Sequence, residues 1–171
     1  PLYRNSDSQL DEDLLGSPQP VKDLGYTFSV PTLTMSNLKI GGAGADKDEH
    51  KWVAIAGNGY NSTAGFAKLF VFFLEGGIDG TWCHPDMIYN EDFGGDPLPS
   101  ECPAGLQDYV KLDTGVDGVG GFPNGLGEPR SIDVDGNGTA DFVYAGDFLG
   151  NFYRFDVSSE TLADWNVTRI F

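Results

Sequence analysis

The chain is poor in the residues from which most catalytic and transition-metal centres are built. Among 171 residues there are two cysteines and two histidines, and His50 and His84 stand in separate loops without a nucleophile motif beside either. No glycine-rich phosphate loop leads into a helix. Asp92, Asp96 and Glu101 have no spacing that pairs them as acid and base. Basic residues are also scarce, 10 against 26 acidic ones, for a formal net charge of −16. Such a surface repels phosphate backbones and anionic headgroups, which argues against nucleic acid as a partner. Long hydrophobic runs are missing too. Leu69-Phe-Val-Phe-Phe-Leu74 is the longest, far short of the roughly 18 to 20 residues of a membrane span, so no direct membrane insertion is expected. The expectation is a binding or regulatory module and not an enzyme.

What is abundant points to β structure. The 24 glycines and 10 prolines imply many turns, and the 12 Phe and 7 Tyr favour strands. Residues 1–24 mix charge, Pro and Ser without periodicity and read as an irregular lead-in; residues 25–171 read as one β domain. Within it, Tyr26–Val30 and Thr32–Ser36 alternate as half-buried strands do. Trp52–Ala56, Lys68–Leu74, Tyr109–Leu112, Arg130–Asp133, Phe142–Ala145, Asn151–Asp156 and Asn166–Phe171 follow as further strands. The stretch 75–108 interrupts the pattern as a long insertion.

The chain opens on Pro1 without an initiator Met, as expected of a segment processed or cut from something longer. Cys83 and Cys102 lie 19 positions apart in the insertion. A zinc site would need further ligands nearby, so a disulfide is the preferred reading, worth about 3 kcal/mol by loop entropy. It implies an oxidising compartment.

The strands repeat. Pro31-Thr-Leu33, Val53-Ala-Ile-Ala-Gly57 and Lys68-Leu-Phe-Val-Phe72 form one series. Pro129-Arg-Ser-Ile132, Phe142-Val-Tyr-Ala-Gly146 and Asn151-Phe-Tyr-Arg-Phe155 form a second in the same order. Two such meanders read as about two four-stranded antiparallel blades of a β-propeller; a generic β-sandwich is the competing reading.

One motif carries chemistry. Asp133-Val-Asp135-Gly-Asn137-Gly-Thr139-Ala-Asp141 sets oxygen donors at alternate positions of a nine-residue loop. Calcium takes six to eight oxygens at about 2.3–2.6 Å. Side chains of Asp133, Asp135 and Asn137, the Thr139 carbonyl and Asp141 could supply five of them, with Gly136 and Gly138 permitting the tight turn. The loop is EF-hand-like but set between strands, and its twelfth position is Tyr144 where the helical version has Glu. Asp147 and segment 113–117 are candidates for a further oxygen. Asn58-Gly-Tyr-Asn61 reads as the metal-free counterpart in the first copy.

The run from Phe122 to Val157, FPNGLGEPRSIDVDGNGTADFVYAGDFLGNFYRFDV, resembles the C-terminal propeller of the PilY family. Leu24–Leu33 (LGYTFSVPTL) and Trp52–Ser62 (WVAIAGNGYNS) are similar to that family's preceding blade. The resemblance implies a modified propeller from a type IV pilus tip or assembly protein. It further implies calcium at Asp133, Asp135, Asn137, Thr139 and Asp141, and a part in pilus extension, retraction and surface adhesion. Pilus subunits or assembly proteins and a host or surface ligand are the implied partners. The implied location is the cell surface, periplasm or pilus tip of a Gram-negative bacterium. Two other propeller classes compete: quinone-cofactor dehydrogenases, for which no cofactor ligands can be named here, and integrin-like adhesins, which repeat the calcium loop in successive blades.

Overall fold

A computed structural model describes residues 23–38, 50–62, 64–76 and 108–171. The lead-in through residue 22, most of the 75–108 insertion and the Cys83–Cys102 pair lie outside the described residues. Nine strands are found among the described residues: β1 (Thr32–Ser36), β2 (Trp52–Gly57), β3 (Lys68–Phe73), β4 (Tyr109–Asp113), β5 (Arg130–Ile132), β6 (Thr139–Ala140), β7 (Phe142–Gly146), β8 (Phe152–Asp156) and β9 (Asn166–Arg169). A short 3-10 turn, Leu162–Asp164, precedes the last strand. No helix among the described residues is long and apolar enough to cross a membrane.

The strands form two antiparallel meanders, β1-β2-β3-β4 and β5-β7-β8-β9, as the internal repeat predicts. The insertion falls between the third and fourth strands of the first sheet, which still pair in register from Lys68↔Asp113 to Phe72↔Tyr109. One strand was not foreseen. The two-residue β6 leaves the second meander and joins the first sheet, parallel to β1, through Met35↔Thr139 and Ser36↔Ala140. Another expectation is corrected: Tyr26–Val30 is not a strand but holds a single bridge, Tyr26↔Tyr60. Its alternation reflects tilted aromatic contacts instead, with Tyr26 and Phe28 centroids 5.1 and 5.8 Å from that of Tyr60.

The alternating side chains face each other between the sheets. Val53, Ile55, Leu69, Val71 and Phe73 of the first sheet pack in one buried cluster with Val143, Ala145, Tyr153 and Phe155 of the second. Burying each of the Val, Ile, Leu and Phe side chains among them contributes roughly 1.5–3 kcal/mol. β3 is buried on both faces, because Phe70 and Phe72 stack 5.5 Å apart on its far side, beside Tyr109.

At one end of each sheet a polar side chain closes the turn between the second and third strands. Asn58, fully buried, donates to the carbonyls of Asp23 and Phe66 and accepts the amides of Lys68 and Leu126. All its hydrogen-bonding capacity toward the chain is thereby used, which offsets the cost of burying it. Asp147 stands at the equivalent place after β7. Its carboxylate accepts the amides of Leu149 and Asn151, the side-chain amides of Asn124 and Asn151, and the Tyr153 hydroxyl.

Partial burial pushes the Asp147 carboxyl upward, but donors from Asn124, Asn151 and Tyr153 outweigh it and hold its pKa below the ordinary 3.8. A carboxyl depressed in the folded state stabilises above its unfolded pKa and loses that contribution as pH falls through the folded value. Asp147→Ala is therefore expected to destabilise by roughly 2–3 kcal/mol at pH 7. The difference from wild type should shrink as denaturant unfolding is repeated at pH values well below 3.8.

Candidate metal centre

The acidic loop is the connection between β5 and β7. Ile132 pairs with Phe142, and the Asp141 amide donates to the Ile132 carbonyl at 2.9 Å. Residues 133–141 must therefore leave and return at ladder spacing, which forces a compact bend. Gly136 and Gly138 supply it with φ of +78° and +92°, a region costly to any residue with a Cβ. Open space surrounds both glycines, with no atom within 4 Å of a Cβ built there. The demand is thus on the backbone and not on room.

The bend gathers the carboxylates. Asp133, Asp135 and Asp141 each present an oxygen within 4.8 Å of the others. Calcium ligands at about 2.3–2.6 Å lie up to about 5 Å apart across the ion, so the separation fits one such cation. The donor set fits as well, being all oxygen with no sulfur or imidazole. Asp133 and Asp135 are exposed and Asp141 is buried. The predicted residues Asp133, Asp135, Asn137, Thr139 and Asp141 thus occupy a single loop, and the structure brings its three carboxylates together.

The loop orients these groups itself. Asp133 accepts the amides of Gly136 and Gly138, at 2.7 and 2.8 Å. Asp135 accepts the amide of Asn137 at 3.0 Å and its side-chain amide at 3.2 Å. Asn137 Oδ1 accepts the Thr139 amide at 2.8 Å, and Asp141 Oδ2 accepts the Val134 amide at 2.7 Å. The Gly138 amide foremost, helped by Gly136 and Asn137, holds the Asp133 carboxyl below its ordinary range. Asp133 is accordingly anionic at neutral pH.

Three expectations change. Asp147 cannot complete this site. It follows β7 at the opposite end from the loop, about 15 Å of strand away, and its carboxylate serves the turn described above. Segment 113–117 is likewise remote: Asp113 pairs with Lys68 at the start of β3, whereas the loop meets the end of β1. Nor is Asn58-Gly-Tyr-Asn61 the counterpart of the acidic loop. It follows the second strand of its sheet and matches Asp147–Asn151; the true counterpart, between β1 and β2, lies mostly outside the described residues.

Sequence reasoning missed Asn37. It is buried, 5% exposed, and reaches the loop from the first sheet. Its Oδ1 faces the Thr139 hydroxyl at 2.7 Å, sharing that single proton with Asn137 Oδ1 at 2.5 Å. Its Nδ2 donates to the Ala140 carbonyl at 3.0 Å and to Asp141 Oδ1 at 3.3 Å. A single asparagine at the end of a strand gives no sequence signal of this kind, because its partners are 102 to 104 positions away.

A family model described as the PilY1 beta-propeller domain matches residues 109–169, from β4 through β9 with the acidic loop included. The type IV pilus biogenesis factor PilY1 of Pseudomonas aeruginosa strain PAO1 is 31% identical over 135 residues, or 79% of this chain. The PilY1 homolog of Xylella fastidiosa is 30% identical over 150 residues, or 85% of it. The chain spans only 8% of the length of each of these relatives. Among solved structures, that of the Pseudomonas aeruginosa PilY1 C-terminal domain matches with a TM-score of 0.53 at 27% identity, covering 86% of this chain and 25% of the other.

The backbone requirement of the loop is testable without any metal. Gly138→Ala is expected to cost roughly 1–2 kcal/mol in urea unfolding with chelator present. An unchanged midpoint would show that the bend tolerates a Cβ at that φ.

Proposed function

The chain belongs to the PilY1 family as a piece of its β-propeller, and from that membership we propose that the 133–141 loop is a calcium site tuning the rigidity of a type IV pilus biogenesis protein. Family membership supports a pilus-related function in general. The convergence of three carboxylates within 4.8 Å carries the finer reading.

Without a cation the three like charges repel, and the loop's own hydrogen bonds, with the Asn37 contact to Asp141, oppose their separation. A bound calcium would supply the counter-charge, taking oxygens from Asp133, Asp135, Asn137, the Thr139 carbonyl and Asp141. Occupancy then fixes the β5–β7 connection. In this reading calcium sets how firmly the propeller holds its shape, and so whether the pilus is extended or withdrawn, and it supports surface adhesion. The partners would be pilus subunits or assembly proteins together with a host or surface ligand, at the cell surface, periplasm or pilus tip. The relatives are named as biogenesis factors, which supports a binding role over an enzymatic one.

Calcium at a hundredfold excess over Kd should stabilise the wild-type protein by about 2.7 kcal/mol, seen as a higher midpoint in thermal unfolding than with chelator. Asp133→Ala and Asp135→Ala should remove that difference. Equal midpoints for the wild type with calcium and with chelator would refute the proposed function.

A further inference from the structure

We propose that Asn37 is a positioning residue for the acidic loop and that it couples cation occupancy to the junction between the two sheets. The inference rests on the calcium reading above and concerns a residue outside the loop.

Asn37 holds three consecutive loop residues by three different groups: the Thr139 hydroxyl, the Ala140 carbonyl and the Asp141 carboxylate. These are the seventh, eighth and ninth positions of the loop, and they include the only buried carboxylate of the cluster. With Val134 donating to Asp141 Oδ2 and Asn37 to Oδ1, both oxygens of that carboxylate are oriented. One donor comes from the loop and the other from the opposite sheet.

Asn37 is itself fixed. It directly follows β1, whose last two residues pair in parallel with Thr139 and Ala140. The Leu38 amide donates to Ser36 Oγ at 3.0 Å, and the Ser36 amide donates to the Lys51 carbonyl at 2.9 Å. The side chain cannot follow the loop without disturbing β1. Groups that orient metal ligands in this way commonly govern affinity as strongly as some ligands do.

Coupling of this kind is reciprocal. If the cation needs Asp141 where Asn37 holds it, then binding strengthens the β1–β6 junction by the same factor that the junction strengthens binding. A parallel ladder of two residue pairs is too short to be firm alone. The loop is thus both a candidate cation site and the seam between the sheets.

The test uses the full-length protein, stripped with chelator and titrated with calcium chloride by calorimetry, with hydrogen exchange read in both states. In the wild type, calcium should raise protection in the loop and in β1 beyond any change in β9, which lies away from the seam. Asn37→Ala should weaken calcium binding roughly tenfold or more and uncouple β1 from calcium. A purely structural Asn37 would lower the melting point equally with and without calcium and leave affinity unchanged. That result, or a wild-type β1 indifferent to calcium while the loop is protected, overturns the inference and leaves the calcium site standing. A wild type that binds no calcium overturns both. Should Asn37→Ala fail to fold, the wild-type exchange comparison decides, because it needs no variant.

Discussion

Three carboxylates held within a few ångströms of one another are an electrostatic liability, and the structure around residues 133–141 is organised to sustain it. The β5–β7 ladder brings the ends of the loop together, and two left-handed glycines let the chain turn inside that span. Backbone amides then point at the carboxylates, so that each charge has local donors. Concentrated negative charge of this kind is stable only where partial positive charge is fixed nearby. The same arrangement leaves three carboxylate oxygens within 4.8 Å of one another, a spacing that one hard divalent ion would fit.

The position of this loop matters as much as its chemistry. It is not a peripheral hairpin tip, because its last residues leave their own sheet and add a parallel strand to the other one. Asn37 closes the seam from the far side. The apolar cluster between the sheets supplies the bulk of the association, and the polar seam sets register, since hydrogen bonds are directional where hydrophobic contact is not. Asn58 and Asp147 repeat the device at the other end of each meander, where one buried or half-buried polar side chain gathers several backbone groups. The two differ in charge, and their partners differ to match. Asn58 both donates and accepts, whereas the ionised Asp147 only accepts.

The repeat, the strand positions and the acidic loop were legible because each depends on local periodicity or spacing. Alternation in Phe152–Asp156 and Phe142–Gly146 translates directly into one buried and one open face. The same rule misled at Tyr26–Val30, where the segment packs through aromatic ring contacts and makes no ladder. Distance along the sequence also gave a poor guide to which acids could share an ion. Asp147 lies nearer to Asp141 in sequence than Asp133 does, yet the intervening strand carries it to the opposite end of the sheet.

The amino-acid order alone determined the β class, the two meanders and the five oxygen-bearing positions of the loop, since a period of two and a bend of nine residues are properties of neighbouring residues. It did not determine that the loop would bridge two sheets, that Asn37 would anchor it, or that Asp147 would be spent elsewhere. The first two depend on groups about a hundred positions apart meeting across a packed interface, and the third on the strand β7, which carries Asp147 away from the loop toward Asn124. Only the folded chain, with its strands fixed in register and its apolar faces joined, brings such groups within hydrogen-bonding distance.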